Sequence, residues 1–183
     1  MTRVTTWLAG LTIPLIGLTA PLTVSANDTV EVTMYKVSSD GRSDAIGNVT
    51  LQDSDHGLVI ELDLEQLPPG LHGFHVHENP DCSPAEKDGK MTAAAAAGGH
   101  YDPENTGAHL GPYNPDGHLG DLPALYVNAD GESDHKLLAP RLEVDDLAGR
   151  ALMVHEGGDN YSDQPEPLGG GKSRIACGVF PQQ

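Results

Sequence analysis

The sequence predicts an all-β domain, a sandwich or a closed barrel, and three observations carry that prediction. About eight short segments combine period-two alternation with frequent valine, isoleucine or leucine; glycine and proline punctuate them; helical periodicity is almost absent. Val30, Val32 and Met34 share one face of a strand that starts near Asp28. Ile46 to Leu51 reads as a short second strand, bounded by Asp40 and Gly41 before it and by residues 53–57 after it. Leu58, Ile60, Leu62 and Leu64 line one face of a third. Further strands are expected over Leu71 to His77, Leu122 to Asn128, His135 to Ala139, Arg150 to His155 and Arg174 to Phe180. Asp130 and Gly131, between two of these, are a hairpin signal.

Two stretches do not read as strands. One runs from Glu78 to Asp121, rich in Gly, Pro, Asp and Asn, and holds His100, His109 and His118; the other runs from Glu156 to Ser173. Loops of this length in a compact domain are usually functional or disordered, and the histidines favour function. Met91 to Ala97, closed by Gly98 and Gly99, can form a single helical turn with a glycine stop. GKS at Gly171 to Ser173 is not a phosphate loop: Glu166 stands where its first glycine is required, and a strand follows where a helix should. N-x-S/T sequons at Asn27, Asn48 and Asn160 matter only in a glycosylating host.

Ahead of the strands, MTRVTTWLAGLTIPLIGLTAPLTVSA has one basic residue, Arg3, then an uncharged and largely apolar run, then the small residues Val24, Ser25 and Ala26. This is the pattern of a secretory signal peptide over residues 1–26, with cleavage expected after Ala26 and a single mature domain over 27–183. A spanning anchor is the weaker alternative, because Pro14, Pro21 and several threonines interrupt the run and no basic stop follows. No cysteine near Ala26 suggests a lipid anchor. Without Arg3 the domain carries nine basic against 27 acidic residues, a formal charge of −18. That surface repels nucleic acid and anionic membranes, so neither is an expected partner. Export makes a disulfide the default use of the two cysteines, Cys82 and Cys177, with a metal or catalytic thiol the minority alternative.

The histidines suggest metal chemistry. In an extended strand His75 and His77 project from one face while Phe74 and Val76 point the other way, into a core. Two imidazoles on one face can grip a metal ion, although an exposed polar face is the plain alternative. His72 is out of phase with the pair. His100, His109, His118 and Asp121 follow at spacings of 9, 9 and 3, three imidazoles and a carboxylate that make a closed N/O set suited to structural Zn(II). His155 ends the apolar strand ALMVH, and a site of several strand-borne imidazoles suits Cu(II) or Zn(II). His56 and His135 read as surface bystanders. Spacing by itself does not bring these groups to one site.

GLHGFHVHENPDC, GGHYDPENTGAH, GHLGDLPAL, ALMVHEGGDN and SRIACGVF occur in that order, and through them the chain resembles the copper/zinc superoxide dismutases of the bacterial, exported type over essentially all of residues 27–183. The resemblance implies an eight-stranded Greek-key β-barrel, a flattened sandwich whose metals lie outside it under two long loops. It implies copper held by His75, His77, His100 and His155, and zinc held by His100, His109, His118 and Asp121, with the imidazolate of His100 shared. Asp159 matches a carboxylate that orients one ligand histidine of each metal, and Cys82 and Cys177 match an intrasubunit disulfide. Arg174 matches the arginine beside the open copper position, and His72 a histidine that holds backbone. The implied reaction converts two superoxide anions and two protons to dioxygen and hydrogen peroxide by Cu(II)/Cu(I) cycling, with His100 protonated and kept by zinc in the reduced half-cycle. Lys172 has no counterpart in the pattern but could assist Arg174 in drawing in the anion. The rival from another class is a non-catalytic periplasmic copper- and zinc-binding protein on the same barrel. A zinc hydrolase is disfavoured because the zinc set is already full. Export means the periplasm if the host has two membranes, and monomer and homodimer stay equally open.

Overall fold

The structure, a computed structural model, describes residues 29–181, so the leader and the sequon at Asn27 lie outside the described residues. Eleven strands are present among the described residues: β1 (Thr29–Ser38), β2 (Gly41–Ser54), β3 (Gly57–Leu64), β4 (Gly70–His72), β5 (Phe74–His77), β6 (Ala85–Lys87), β7 (Lys90–Thr92), β8 (Leu125–Val127), β9 (Lys136–Ala139), β10 (Ala151–His155) and β11 (Arg174–Val179). No α-helix accompanies them, only three short 3-10 turns. Seven strands form one antiparallel sheet in the order β5-β10-β11-β1-β2-β3-β9. Only Gly73 separates β4 from β5, and β4 pairs with β8, which curls the sheet round on itself. Counting β4 and β5 as one interrupted strand, eight strands surround the core. The adjacency of β1 to β11, of β3 to β9 and of β10 to β5 gives the crossed connections of a Greek key.

Alternation fills the interior. Val32 and Met34 from β1, Val49 and Leu51 from β2, and Leu58, Ile60, Leu62 and Leu64 from β3 are all buried in one cluster. Phe74, Val76, Leu152 and Val154 join it from β5 and β10. The opposite faces of those two strands therefore carry His75, His77 and His155 away from the hydrophobic core, still on rigid backbone. A smaller cluster on the outer face of β10 packs Ala151 and Met153 against Cys82, Cys177 and the alanine run.

Three details depart from the sequence expectation. β2 is much longer than Ile46 to Leu51, because hairpin pairing with β1 continues down to Ser38↔Gly41 through two register shifts. Polar residues of this edge need no alternation when backbone bonds hold them. The Asp130–Gly131 signal does make a tight turn, with Gly131 N–H donating to Asn128 O at 3.2 Å. The flanking strands nevertheless separate, β8 to β4 and β9 to β3, so no hairpin forms. The first long loop also contains a hairpin, β6–β7, turning at Asp88 and Gly89 with φ of 54° and 75°. Its Asp-Gly pair was a legible turn signal, but the flanking AEK and KMT lack apolar alternation. The alanine run forms the expected short turn, Ala95–Ala97, stopped by Gly98 at φ 77°.

Candidate metal centre

Backbone pairing brings the site together. β5 lies between β10 and the first loop: Met153 pairs with His75, while isolated bridges join His75 to Asp121 and His77 to His100. Across β10–β11, His155 stands opposite Arg174. Residues 19 to 78 positions apart in sequence are thus paired, and they converge on one outer face of the barrel. His75, His77, His100, His109, Asp121 and His155 are all buried, and His118 is 8 % exposed.

Four imidazoles, His75, His77, His100 and His155, each turn one nitrogen to a backbone carbonyl or a carboxylate and the other towards the group. His77 Nδ1 donates to the carbonyl of Gly98 at 3.1 Å, leaving Nε2, which faces His155 Nε2 at 3.4 Å. His155 Nδ1 faces the carbonyl of Lys172 at 3.5 Å. His75 Nε2 donates to Asp159 Oδ2 at 2.7 Å, and its buried Nδ1 has no partner. His100 Nδ1 lies 3.0 Å from Asp121 Oδ1, and its buried Nε2 has no partner. Buried polar atoms are rarely left unsatisfied. Here the ligand atoms of His75, His77, His100 and His155 all lie within 4.8 Å of one another, a spacing one ion can fill. The donor set is purely imidazole, which suits copper or zinc.

The second group is built around Asp121 Oδ1. The Nδ1 atoms of His100, His109 and His118 stand 3.0, 3.0 and 3.4 Å from it. Ligands at roughly 2.0–2.1 Å around a tetrahedral Zn(II) are about 3.3 Å apart, so these contacts match the edges of such a tetrahedron. His109 Nδ1 and His118 Nδ1 make no well-directed hydrogen bond despite that proximity, as expected of atoms aimed at a shared centre. Asp121 Oδ2 is held by the backbone N–H groups of Leu110 and Gly111 at 3.2 and 3.1 Å. One foursome here whose ligand atoms all lie within 4.8 Å contains His75 in place of His118, since His75 stacks on His100 with ring centroids 3.9 Å apart. Since Asp159 occupies His75 Nε2, His118 remains the better fourth donor on this side.

Asp159 joins the two groups. Its Oδ2 accepts from His75 and its Oδ1 from His109, each at 2.7 Å, while Tyr161 N–H also donates to Oδ1 at 2.8 Å. His72 is not part of either group: its ring nitrogens lie 2.8 Å from the carbonyl of His155 and 2.7 Å from that of Pro68, tying strand ends together. Cys82 and Cys177 form a disulfide, so the thiol alternative is set aside. The bridge fastens the first loop to β11. Arg174, half-buried, donates to the carbonyls of Ala94 and Gly98 at 2.5 Å each, so its guanidinium pins that loop as well as facing the site. A cavity of about 470 Å³ opens beside His155, lined among others by Glu166, Leu168 and Lys172.

Several supporting residues carried no sequence signal. Arg141 donates to the carbonyls of Asn114, Gly117 and His118, the last two at 2.9 and 3.0 Å, and so shapes the segment that presents His118. Arg150 stacks 4.0 Å from the Tyr101 ring and donates to Glu78 O at 2.9 Å. Asp163 Oδ2 accepts from His109 N–H at 2.9 Å, and Glu78 Oε2 accepts from Gly99 N–H at 2.9 Å. Each bonds mainly to loop backbone, and no motif or period marks such contacts.

Electrostatics separate the two groups. Burial, then neighbouring imidazoles, hold His75 and His77 well below the usual histidine value, and burial lowers His100 although Asp121 opposes it. Burial, His100 and Arg174 push His155 down to about 3. These rings are neutral at pH 7, the protonation state that ligates metal. His109 is raised to about 9: burial works against it, but the adjoining carboxylates of Asp121 and Asp159 prevail. Asp121 is held far below the usual carboxylate range, against its burial, by the imidazoles of His100, His109 and His118 around its Oδ1.

These shifts predict a stability optimum for the metal-free protein. Histidines depressed in the fold are protonated preferentially in the unfolded chain, so stability falls as pH drops from 6.5 towards about 3. The contribution of His109 is complete below 6.5 and is lost as pH rises through about 9. Thermal melts of metal-free protein should therefore peak near pH 6.5 and decline at pH 4.5 and at pH 9.5; a flat profile between those limits contradicts the assignment.

The copper/zinc superoxide dismutase (SODC) family model matches residues 45–180. The chain is 54% identical over 156 residues to superoxide dismutase [Cu-Zn] 1 of Salmonella typhimurium, covering 85% of this chain and 88% of that protein. It is 55% identical over 151 residues to superoxide dismutase [Cu-Zn] of Escherichia coli strain K12, covering 82% and 87%. Among solved structures, the Cu/Zn superoxide dismutase from Brucella abortus superposes with a TM-score of 0.82 at 53% identity, covering 84% of this chain and all of that one. A Greek-key barrel, two adjoining imidazole-rich groups and identity above half along nearly the whole domain agree: this chain belongs to the copper/zinc superoxide dismutase family.

Proposed function

We propose that this chain dismutes superoxide, with copper held by His75, His77, His100 and His155 and zinc held by His100, His109, His118 and Asp121. The observation that carries the proposal is the divided role of His100. Its Nδ1 stands in the Asp121 group at 3.0 Å, while its bare Nε2 belongs to the all-imidazole group. Copper bound there would supply one-electron redox chemistry, by which one superoxide anion is converted to dioxygen and a second, with two protons, to hydrogen peroxide.

The chain's residues supply geometry, charge and protons. Asp159 and the carbonyls of Gly98 and Lys172 select the ring nitrogens that face the site. His100 can carry a proton on Nε2 while its Nδ1 stays with the Asp121 group, which places an acid where hydrogen peroxide forms. Arg174 holds a positive charge opposite His155, in a fold whose overall charge repels anions. Lys172, exposed on the wall of the adjoining cavity, adds a second cation there, offset by Glu166.

Arg174→Ala should lower the rate of superoxide decay about tenfold at low salt, the scale of electrostatic steering, and flatten its dependence on ionic strength. Equal rates and equal salt slopes would confine Arg174 to pinning the carbonyls of Ala94 and Gly98. The same assay separates the non-catalytic alternative: protein loaded with both metals should accelerate superoxide decay. Stoichiometric uptake without acceleration would leave a metal-binding protein.

Residues 1–26 are proposed as an export leader, with the domain over 27–183. The leader pattern supports this, as does the Cys82–Cys177 disulfide, a bond that persists in oxidising compartments such as the periplasm.

A further inference from the structure

Asp159 sits where it does because of the loop that lies on it. Four of the five residues from Leu168 to Lys172 have left-handed backbone, with φ of 52° at Leu168, 70° at Gly169, 79° at Gly170 and 59° at Lys172, while Gly171 between them is right-handed at −60°. Two backbone hydrogen bonds hold Gly169 across from Asp159. Asn160 N–H donates to Gly169 O at 3.1 Å, and Gly169 N–H donates to Ser162 O at 3.0 Å. The α-carbon is thereby pressed onto the carboxylate. A β-carbon at Gly169 would fall 2.0 Å from Asp159 Oδ1, 2.7 Å from its Cγ and 2.8 Å from His109 Nε2. Those are the atoms of the Asp159–His109 hydrogen bond, so no side chain fits there unless the bond opens. Gly170 has nearly the same backbone angle, yet its β-carbon would meet only Glu166 Cβ at 3.8 Å.

We propose that Gly169 is a positioning residue whose bare α-carbon seats Asp159 between His75 and His109, so that the packing of this loop sets the ring orientations of both metal groups at once. The inference rests on the metal assignment above, in which Asp159 orients one ligand of each metal. It adds a cause: the carboxylate is confined by backbone contact on one side and by two imidazoles on the other. Because Oδ1 and Oδ2 belong to one rigid group, a displacement at Gly169 is transmitted to His109 and to His75 together.

Glycine to alanine at either position carries the same left-handed penalty, which makes Gly170→Ala a matched control. Metal-free wild type, Gly169→Ala, Gly170→Ala, Asp159→Ala and Gly169→Ala/Asp159→Ala would be titrated with Zn(II) against a chromophoric chelator. Their Co(II) derivatives would be compared by visible absorption, which reports ligand geometry. The expected result is a loss of Zn(II) affinity of about ten- to a hundredfold in Gly169→Ala and in Asp159→Ala, the range for losing a partner of a ligand. An altered Co(II) spectrum should accompany it. Gly170→Ala should stay within about threefold, and the double variant should be no weaker than Asp159→Ala, since the carboxylate is gone and the His109 ring, released from it, can yield to the β-carbon. Should Gly169→Ala fold poorly, its melting temperature should recover relative to Asp159→Ala once the carboxylate is removed.

Equal effects of Gly169→Ala and Gly170→Ala would overturn the proposal in favour of backbone strain. A Gly169→Ala loss that persists in full on top of Asp159→Ala would overturn it too. An Asp159→Ala protein with unchanged Zn(II) affinity and Co(II) spectrum would overturn it at its premise, and would separate that failure from a failure of Gly169 alone.

Discussion

Replacing His155 by alanine should lower superoxide decay by roughly a hundredfold or more in protein loaded with both metals, at or beyond the upper end of what losing a ligand's partner costs. The imidazole is one of four whose ligand atoms lie within 4.8 Å of one another, and it is buried at the end of β10, opposite Arg174. No neighbouring side chain can replace it. Its ring is flanked by Gly171, whose β-carbon would stand 3.2 Å from His155 Cγ, so truncation leaves a gap that backbone cannot fill. Water would enter beside His77 and His75. The Asp121 group should be retained, because its carboxylate is held by the backbone N–H groups of Leu110 and Gly111 and His109 by Asp159, none of which depends on residue 155. Metal content by mass spectrometry, measured with the decay rate, distinguishes loss of copper from loss of geometry. Wild-type decay with a full copper complement would remove His155 from the site.

Removing the disulfide should be the largest single loss of stability. Cys82 and Cys177 are 95 residues apart in sequence, and in the chain-entropy model a loop of that length contributes about 4.7 kcal/mol. Against a typical total of about 5–15 kcal/mol, that is a third or more of the whole. Cys82→Ser/Cys177→Ser protein should melt roughly 10–20 °C lower, at about 2–4 °C per kcal/mol for a domain of this size. The effect should reach the metal centre. The bridged segment carries the carbonyls of Ala94 and Gly98 that hold Arg174 and His77 Nδ1, so loosening it frees both. Denaturant unfolding of metal-free protein isolates the entropic part; a difference under about 1 kcal/mol would mean the bridge adds little to what strand pairing already provides.

The strand pattern was open to direct inspection. Leu58, Ile60, Leu62 and Leu64 alternate because one face of β3 is core and the other is not, and Phe74 and Val76 alternate with His75 and His77 for the same reason. Period two is a local property, so a single segment displays it. The phase of His72, one step off that pair, likewise kept it from the ligand set, and it bonds to backbone carbonyls instead. The family emerged from the order of five long motifs. Where backbone hydrogen bonds alone decide, local pattern was silent: β2 extends past its apolar stretch, β6–β7 forms from polar residues, and the Asp130–Gly131 turn separates its strands.

Local pattern alone yielded an all-β domain, its eight main strands, and the identities of the histidines, the acid Asp121 and the two cysteines available for chemistry. Which nitrogen of each imidazole turns towards the site is fixed only by the folded chain. That depends on carbonyls and carboxylates contributed by distant segments: Gly98 for His77, Lys172 for His155, Asp159 for His75 and His109. Through-space packing also sets the burial that keeps His75, His77 and His155 neutral and the backbone contact that leaves Gly169 no room for a side chain. Each is a through-space property of groups far apart in the chain, and no spacing along the sequence encodes it.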